Sequence, residues 1–443
     1  MMTTERRFYI RGGVPLEGDV QVRGGKNTSV AILAAALLCD DPVRVENLPD
    51  ISDTRLMLAM MEGIGARITR ESPSSVVIDP RFLTGVHPDD GMSRSMRASY
   101  YLLGALLGKT GEGAIAHPGG CDIGSRPIDQ HVKGFRALGA EVDDASPLIT
   151  ARGSLTGAEI FMDCVTVGGT INVMLAACRA QGNTMIYNAA KEPHIVDTAN
   201  FLNAMGAHIR GAGTDVIRIR GVSRMHGCSY AVIPDQIETG TLMIAAAATH
   251  GCVTIHGCIP THMESLTAKL LEMGARVEDY DDMIRVYSHG AHRAVSFKTQ
   301  AYPGFPTDLQ QPMSALLTTA RGTSTVTETI FDSRFHHLDE MRRMGARAHI
   351  VGRTAAIDGV IRLHGASVAA SDLRAGAALI IAGLMADGVF AVANFFKPAG
   401  KKRSVYDMRY GNRIINSISF GLLLCAMGLV AAVVYVFTKA GMI

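Results

Sequence analysis

RALGAEV, residues 136–142, has four near-copies along the chain: EGIGARI at 62–68, NAMGAHI at 203–209, LEMGARV at 271–277 and RRMGARA at 342–348. Each runs from an apolar helix end through Gly-Ala into a strand. Glycine just past the last turn stops a helix by adopting the left-handed conformation, and the apolar residues that follow begin the next element. The five glycines, Gly65, Gly139, Gly206, Gly274 and Gly345, are spaced by 74, 67, 68 and 71 residues. One such match carries no weight. Five at near-constant spacing mean internal duplication.

A second series keeps step with the first. Small-residue helices are predicted to begin near Lys26, Arg97, Gly168, Glu238, Asp308 and Arg374, at intervals of 71, 71, 70, 70 and 66 residues. KNTSVAILAAALL, GGTINVMLAAC and RAGAALIIAGLMA are apolar on nearly every face, so these helices are expected to be buried. Short β-branched strands such as VRVENL, MIYNA, VTIHG and STVTET follow them. The pattern predicts an α/β protein of six strand–helix–strand–helix repeats, arranged as two domains of three.

Composition narrows the function. The 443 residues are 47% hydrophobic and 19% charged, with a formal net charge of +2, which describes a globular chain without an electrostatic footprint for nucleic acid. Eight scattered cysteines without a Cys-x-x-Cys pair point to a reducing compartment and away from structural zinc. The start, MMTTERRFYIRGG, has no apolar signal core, so a cytoplasmic location is expected. The fifteen histidines form no metal pattern, and adjacent His336 and His337 read as surface or packing residues. GGKN at 24–27 lacks the spacing and the Ser or Thr of a phosphate-binding P-loop. No metal or organic cofactor is expected.

Chemistry concentrates in HPGGCDIGSRPIDQH, residues 117–131. Glycines on both sides of Cys121 allow a mobile loop, and Arg126 favours the thiolate. A tight turn around a buried structural cysteine fits the same residues. Charged residues also open apolar helices at Lys26, Arg97, Glu238, Asp308 and Arg374. Glu238 and Asp308 suit helix N-termini as caps. Lys26, Arg97 and Arg374 stand at the electrostatically wrong end, as they would if awaiting an anion.

These motifs resemble those of the UDP-N-acetylglucosamine 1-carboxyvinyltransferases. GGKN, the cysteine loop, NAAKEPHIVDTANFL (188–202), PDQIETGT (234–241), FPTDLQ (305–310), TETIFDSRF (327–335) and DLRA (372–375) occur in order over residues 7–392. The resemblance implies two inverse α/β domains of three repeats each, enclosing a cleft. Residues 26–233 would form the cysteine-loop domain and residues 1–25 with 234–395 the second. It implies addition of a sugar 3′-hydroxyl to phosphoenolpyruvate followed by loss of phosphate. Cys121 would protonate the methylene carbon, and Asp308 would be the base near the hydroxyl. A carboxylate at a helix start stays ionised, which suits that role. Lys26, Asn27 and Arg126 would hold phosphoenolpyruvate. Arg97, the run Arg126, Pro127, Ile128, Asp129 and Gln130, and the turn Thr166, Val167 and Gly168 would bind the nucleotide sugar. Asp308 and the backbone near Ile330 would join them, with Arg334 and Arg374 as further substrate contacts. The 3-phosphoshikimate 1-carboxyvinyltransferases share this fold but lack the cysteine loop. A monomer is expected.

The resemblance ends in the sixth repeat. ANFFKPAGKKRSVYDMRYGN (393–412) stands where the family carries His-Ile-Asp-Arg-Gly-Tyr, and Gly400 falls at the place of its phosphate-binding arginine. The sixth repeat therefore reads as incomplete. A basic linker, 396–413, precedes 414–438, a run of 25 residues without a charge. That is long enough for a transmembrane helix. Six cations before it and one after it predict a tail anchor with the long N-terminal part on the cytoplasmic side. A frame change or gene fusion would produce the same ending, and a catalytically impaired, membrane-tethered paralogue is the alternative function.

Overall fold

The first inner helix, α1 (Lys26–Ala36), buries every residue from Thr28 to Ala36, which is why its sequence has no polar face. The computed structural model describes residues 7–119, 124, 126–393 and 413–415. In contrast to α1, α2 (Ser52–Gly63) buries one stripe through Thr54, Met57, Leu58, Met60 and Met61. It ends at the first Gly-Ala phrase. All five glycines of that phrase adopt positive φ, between 92° and 102°, so the repeated words are one helix-stopping device used five times.

The described residues divide into two compact units, one of residues 23–119 with 126–233 and one of residues 7–22 with Gly124, 234–393 and 413–415. The first holds α1, α2, α3 (Asp90–Ser95), α4 (Tyr101–Thr110), α5 (Asp129–Ala137), α6 (Val167–Ala177) and α7 (Pro193–Ala204). A short 3₁₀ turn, Arg97–Tyr100, leads into α4. The second holds α8 (Gln236–Ala248), α9 (Glu264–Met273), α10 (Thr307–Leu317), α11 (His336–Arg342) and α12 (Leu373–Met385). Like α1, the helices α6, α8 and α12 are buried along most of their length.

Small sheets carry these helices, and one pattern recurs. Asn183–Tyr187 lies parallel to Glu159–Phe161 and antiparallel to Val216–Arg220, which pairs antiparallel with His208–Arg210. Thr323–Thr327 repeats this with Phe297–Lys298, Thr354–Asp358 and Arg347–Val351. The last sheet departs from it. Val389–Ala393 pairs parallel with Ser367–Ala369, but its antiparallel neighbour is the N-terminal strand Arg7–Arg11. The start of the chain thus fills the place that a downstream strand fills elsewhere.

Beyond Arg7–Arg11 lies Arg413–Ile415, pairing parallel where the other repeats pair antiparallel. This corrects the expectation for these residues. Arg413 was assigned to a linker and Ile414 to the start of a membrane span, yet both are strand residues hydrogen-bonded to a sheet edge, as an Ile-Ile pair favours. The rest of the predicted linker and span, 396–412 and 416–438, lies outside the described residues. Among the described residues no helix is long and apolar enough to cross a membrane.

Close packing fixes how the inner helices of the first unit meet. Buried Asn172 of α6 accepts from the Gly104 N–H of α4 at 3.0 Å and donates to the Tyr100 carbonyl at 2.9 Å. A Cβ on Gly104 would lie 2.0 Å from Asn172 Oδ1. Gly104→Ala is therefore expected to cost about 1–3 kcal/mol of stability through overpacking, read as a lower urea midpoint. An unchanged midpoint would show that the two helices separate freely.

Candidate active-site residues in the two units

In the first unit, Lys26 opens α1 behind Gly24 and Gly25, and at Gly24 there is no room for a side chain. A Cβ on Gly24 would lie 1.9 Å from the Asn47 carbonyl oxygen. Lys26 Nζ stands 3.1 Å from Asp53 Oδ2, and half-buried Asn27 follows it. Arg97 donates to the Arg126 carbonyl, reaches the Pro118 carbonyl at 3.5 Å, and sits 5.5 Å from the Tyr100 ring centre. Burial pushes the Arg97 pKa down; Tyr100 opposes that shift and the Arg126 guanidinium adds to it. Burial pushes Tyr100 up, while its hydrogen bond with Tyr101 and the nearby Arg97, Arg126 and Lys26 pull it back. Lys26, Arg97 and Arg126, all predicted substrate contacts, therefore each favour negative charge at one tyrosine. Such a concentration of positive charge suits an anion.

The start of α6 reaches the same place. A Cβ on Gly168 would lie 2.5 Å from the Tyr100 hydroxyl, so only glycine fits there. Thr166 caps α6, its hydroxyl accepting from Gly169 N–H at 3.3 Å, and Val167 is the first helical residue. Gln130 is turned onto Asp163, donating to its carboxylate at 3.1 Å and accepting from its N–H at 2.9 Å. Pro127 and Asp129 are exposed and Ile128 half-buried. His131, next in line, is pushed down to about 3 by burial, with Arg97 adding to the shift and Asp129 opposing it, so it is neutral at ordinary pH. Cys121 lies outside the described residues.

In the second unit, three predicted residues form one ion cluster. Asp308, in the first turn of α10, accepts from Arg334 Nη2 at 2.6 Å on Oδ1. On Oδ2 it accepts from Arg374 Nη2 at 2.8 Å and Nε at 3.1 Å. The two guanidinium side chains are 3% and 6% exposed. Burial pushes the Asp308 carboxyl up, but Arg374 and Arg334 outweigh it and hold the carboxyl far below the usual carboxylate range. Arg374 was expected to wait for an external anion; the structure supplies Asp308, brought close by the packing of α10 against α12. Lys26 and Asp53 show the same substitution.

Ile330 projects its side chain into solvent, and its N–H donates to Glu328 at 2.8 Å. Glu328, Tyr100, Asn172 and Asp53 escaped the sequence reading. Glu328 sits inside TETIFDSRF, but nothing in that string says its carboxylate is buried. His337 is buried and pushed down to about 3 chiefly by burial, whereas His336 is exposed. Among the described residues no group of three or more His, Cys, Asp or Glu is placed to hold a metal.

The family profile described as EPSP synthase (3-phosphoshikimate 1-carboxyvinyltransferase) matches residues 10–396. Two relatives narrow the choice within it. UDP-N-acetylglucosamine 1-carboxyvinyltransferase 3 of Caldanaerobacter subterraneus subsp. tengcongensis is 53% identical over 391 residues, covering 88% of this chain and 94% of the relative. UDP-N-acetylglucosamine 1-carboxyvinyltransferase 2 of Geobacillus kaustophilus is 55% identical over 384 residues, covering 86% and 90%. The chain belongs to the UDP-N-acetylglucosamine 1-carboxyvinyltransferase family. The fold of this carboxyvinyltransferase also matches solved structures. The enolpyruvyl transferase NikO from Streptomyces tendae superposes with a TM-score of 0.80 at 24% identity, covering 88% of this chain and 93% of that one. An EPSP synthase from Acinetobacter baumannii superposes at 0.68 with 18% identity, covering 88% and 94%. As a carboxyvinyltransferase the protein is an enzyme, and its profile match ends at residue 396.

Proposed function

We propose that this enzyme transfers the enolpyruvyl group of phosphoenolpyruvate to the 3′-hydroxyl of UDP-N-acetylglucosamine and releases phosphate, the first committed step of peptidoglycan synthesis. The observation that carries this reading is the cysteine loop in a chain more than half identical to relatives of that name. The chemistry divides among residues already placed. The Cys121 thiol gives its proton to C3 of phosphoenolpyruvate, and positive charge develops at C2. The sugar hydroxyl adds there while Asp308 takes its proton. In the second stage phosphate leaves C2 with the proton that Asp308 had taken, and a C3 proton returns to the thiolate. Lys26, Asn27 and Arg126 hold the anionic substrate, with Arg97 and the α6 start serving the nucleotide sugar.

Asp308 imposes a condition on this scheme. Held by two guanidiniums it is a weak base, so its proton transfer requires Arg334 or Arg374 to shift part of its hydrogen bonding onto substrate. An anionic substrate does that directly. The family profile keeps 3-phosphoshikimate as the rival acceptor. Phosphate release from phosphoenolpyruvate should therefore be followed with each acceptor in turn. Turnover with UDP-N-acetylglucosamine and none with 3-phosphoshikimate is expected; the reverse overturns the assignment. Binding of the nucleotide sugar without turnover identifies the impaired paralogue.

The ending adds a location to the proposal. The basic run before residue 413 and the uncharged residues from 416 to 438 support a tail anchor holding a cytoplasmic enzyme at the membrane. The full chain is then expected in the membrane fraction after a carbonate wash, and a chain ending at Ala393 in the soluble fraction. Full-length protein in the soluble fraction rules the anchor out.

A further inference from the structure

We propose that Glu328 is a positioning residue of the second unit's substrate site: its carboxylate fixes the Ile330–Phe331 backbone and, through the Thr307 hydroxyl, aims Arg334 at Asp308. Glu328 is 1% exposed. Its Oε1 accepts from Thr299 Oγ1 at 2.8 Å, from Ile330 N–H at 2.8 Å and from Phe331 N–H at 3.2 Å. Its Oε2 accepts from Thr307 Oγ1 at 2.8 Å. Four neutral donors thus hold one buried charge. Enclosing a carboxylate this way is expensive, and an apolar residue would pack the same space without that cost.

Proton polarity explains what the charge does. An ionised carboxylate only accepts, so Thr307 must give its single hydroxyl proton to Glu328. That turns the oxygen lone pairs of Thr307 toward Arg334, whose Nη1 donates to it at 2.6 Å. Arg334 Nη2 then meets Asp308 Oδ1 at 2.6 Å. The relay runs Glu328, Thr307, Arg334, Asp308: the two carboxylates only accept, Arg334 only donates, and Glu328 therefore sets which way the Thr307 hydroxyl points. The same Oε1 also holds the turn that begins at Ile330. This inference rests on the reading of Asp308 and Arg334 as substrate-site residues.

Glutamine at 328 keeps the shape but presents an amide that donates to Thr307, so the hydroxyl proton loses its acceptor and is no longer held away from Arg334. Glu328→Gln and Thr307→Val are each expected to raise KM for UDP-N-acetylglucosamine about tenfold, the size of one charge-assisted hydrogen bond. Because both break one relay, the double variant should be no worse than the worse single variant. Thr307→Ser, which keeps the hydroxyl, should recover most of the loss. Singles that shift only the unfolding temperature, or effects that multiply in the double variant, would overturn the proposal. Should Glu328→Gln fail to fold, the Thr307→Val and Thr307→Ser pair decides alone: equal KM values in the two contradict the relay. A wild-type enzyme that does not turn over UDP-N-acetylglucosamine refutes the functional reading instead, which separates the two failures.

Discussion

Asp308→Asn is expected to lower kcat by about 10²–10⁴, the usual contribution of a positioned general base. The amide keeps the shape of the side chain but cannot take the hydroxyl proton. It also leaves Arg334 and Arg374, both nearly buried, facing each other without the carboxylate that neutralises them. The variant should therefore unfold at a lower temperature than wild type. The pH dependence of that difference has a definite sign. The folded Asp308 carboxyl sits below its ordinary value of 3.8, so its contribution is present above that pH and is lost as pH falls below it. Unfolding temperatures of the two proteins should converge in strong acid. A difference that stays constant through acid would show that the arginines do not stabilise the ionised form, and a near-normal kcat would remove Asp308 from the chemistry.

Replacing the acid is expected to be equally severe. Cys121→Ser should lose most turnover, because a hydroxyl gives up a proton far less readily than a thiol, while Cys121→Asp should retain part of it. Fosfomycin, an epoxide that mimics phosphoenolpyruvate, should add once to wild type, at Cys121. The exposed thiol of Cys164 is the natural competitor. Desolvation pushes it up, with the carboxylates of Asp129 and Asp163 adding to the effect, so it holds little thiolate. Peptide mapping should accordingly find label at residue 121 and escape from it in Cys121→Asp. Label distributed over Cys164 and other thiols would remove the special status of the loop. Lys26→Ala should slow labelling, because the reagent is anionic and the cation at the α1 start is then missing.

What could be read from sequence was what is local. The Gly-Ala phrases announce helix ends because the left-handed turn after a helix needs only its own residue, and all five behave alike. The buried inner helices are equally legible, since enclosure leaves no polar face to write. The cations at the helix starts also stood out by spacing. Their counter-charges did not. Asp53 lies one repeat element away from Lys26, and Asp308 and Arg374 meet only because α10 packs on α12. At Lys26 and Arg374 the fold itself provides a carboxylate that the spacing of the cations did not announce. Glu328 was invisible for a related reason: burial of a glutamate depends on Thr299 and Thr307, which reach it from other segments. The sixth sheet was legible only in part, because its middle strand comes from the opposite end of the chain.

How the enolpyruvyl group moves is tested most directly by the product formed in D₂O. Addition to C2 with protonation of C3 makes a methyl group that carries a solvent deuteron, and elimination then removes either isotope from that methyl group to give the vinyl methylene. The mass spectrum of enolpyruvyl-UDP-N-acetylglucosamine made in D₂O should therefore show deuterium on the vinyl carbon, and Cys121→Ser should form that product far more slowly. Product made at the wild-type rate with no deuterium at that carbon would contradict protonation by Cys121 and the addition–elimination scheme built on it.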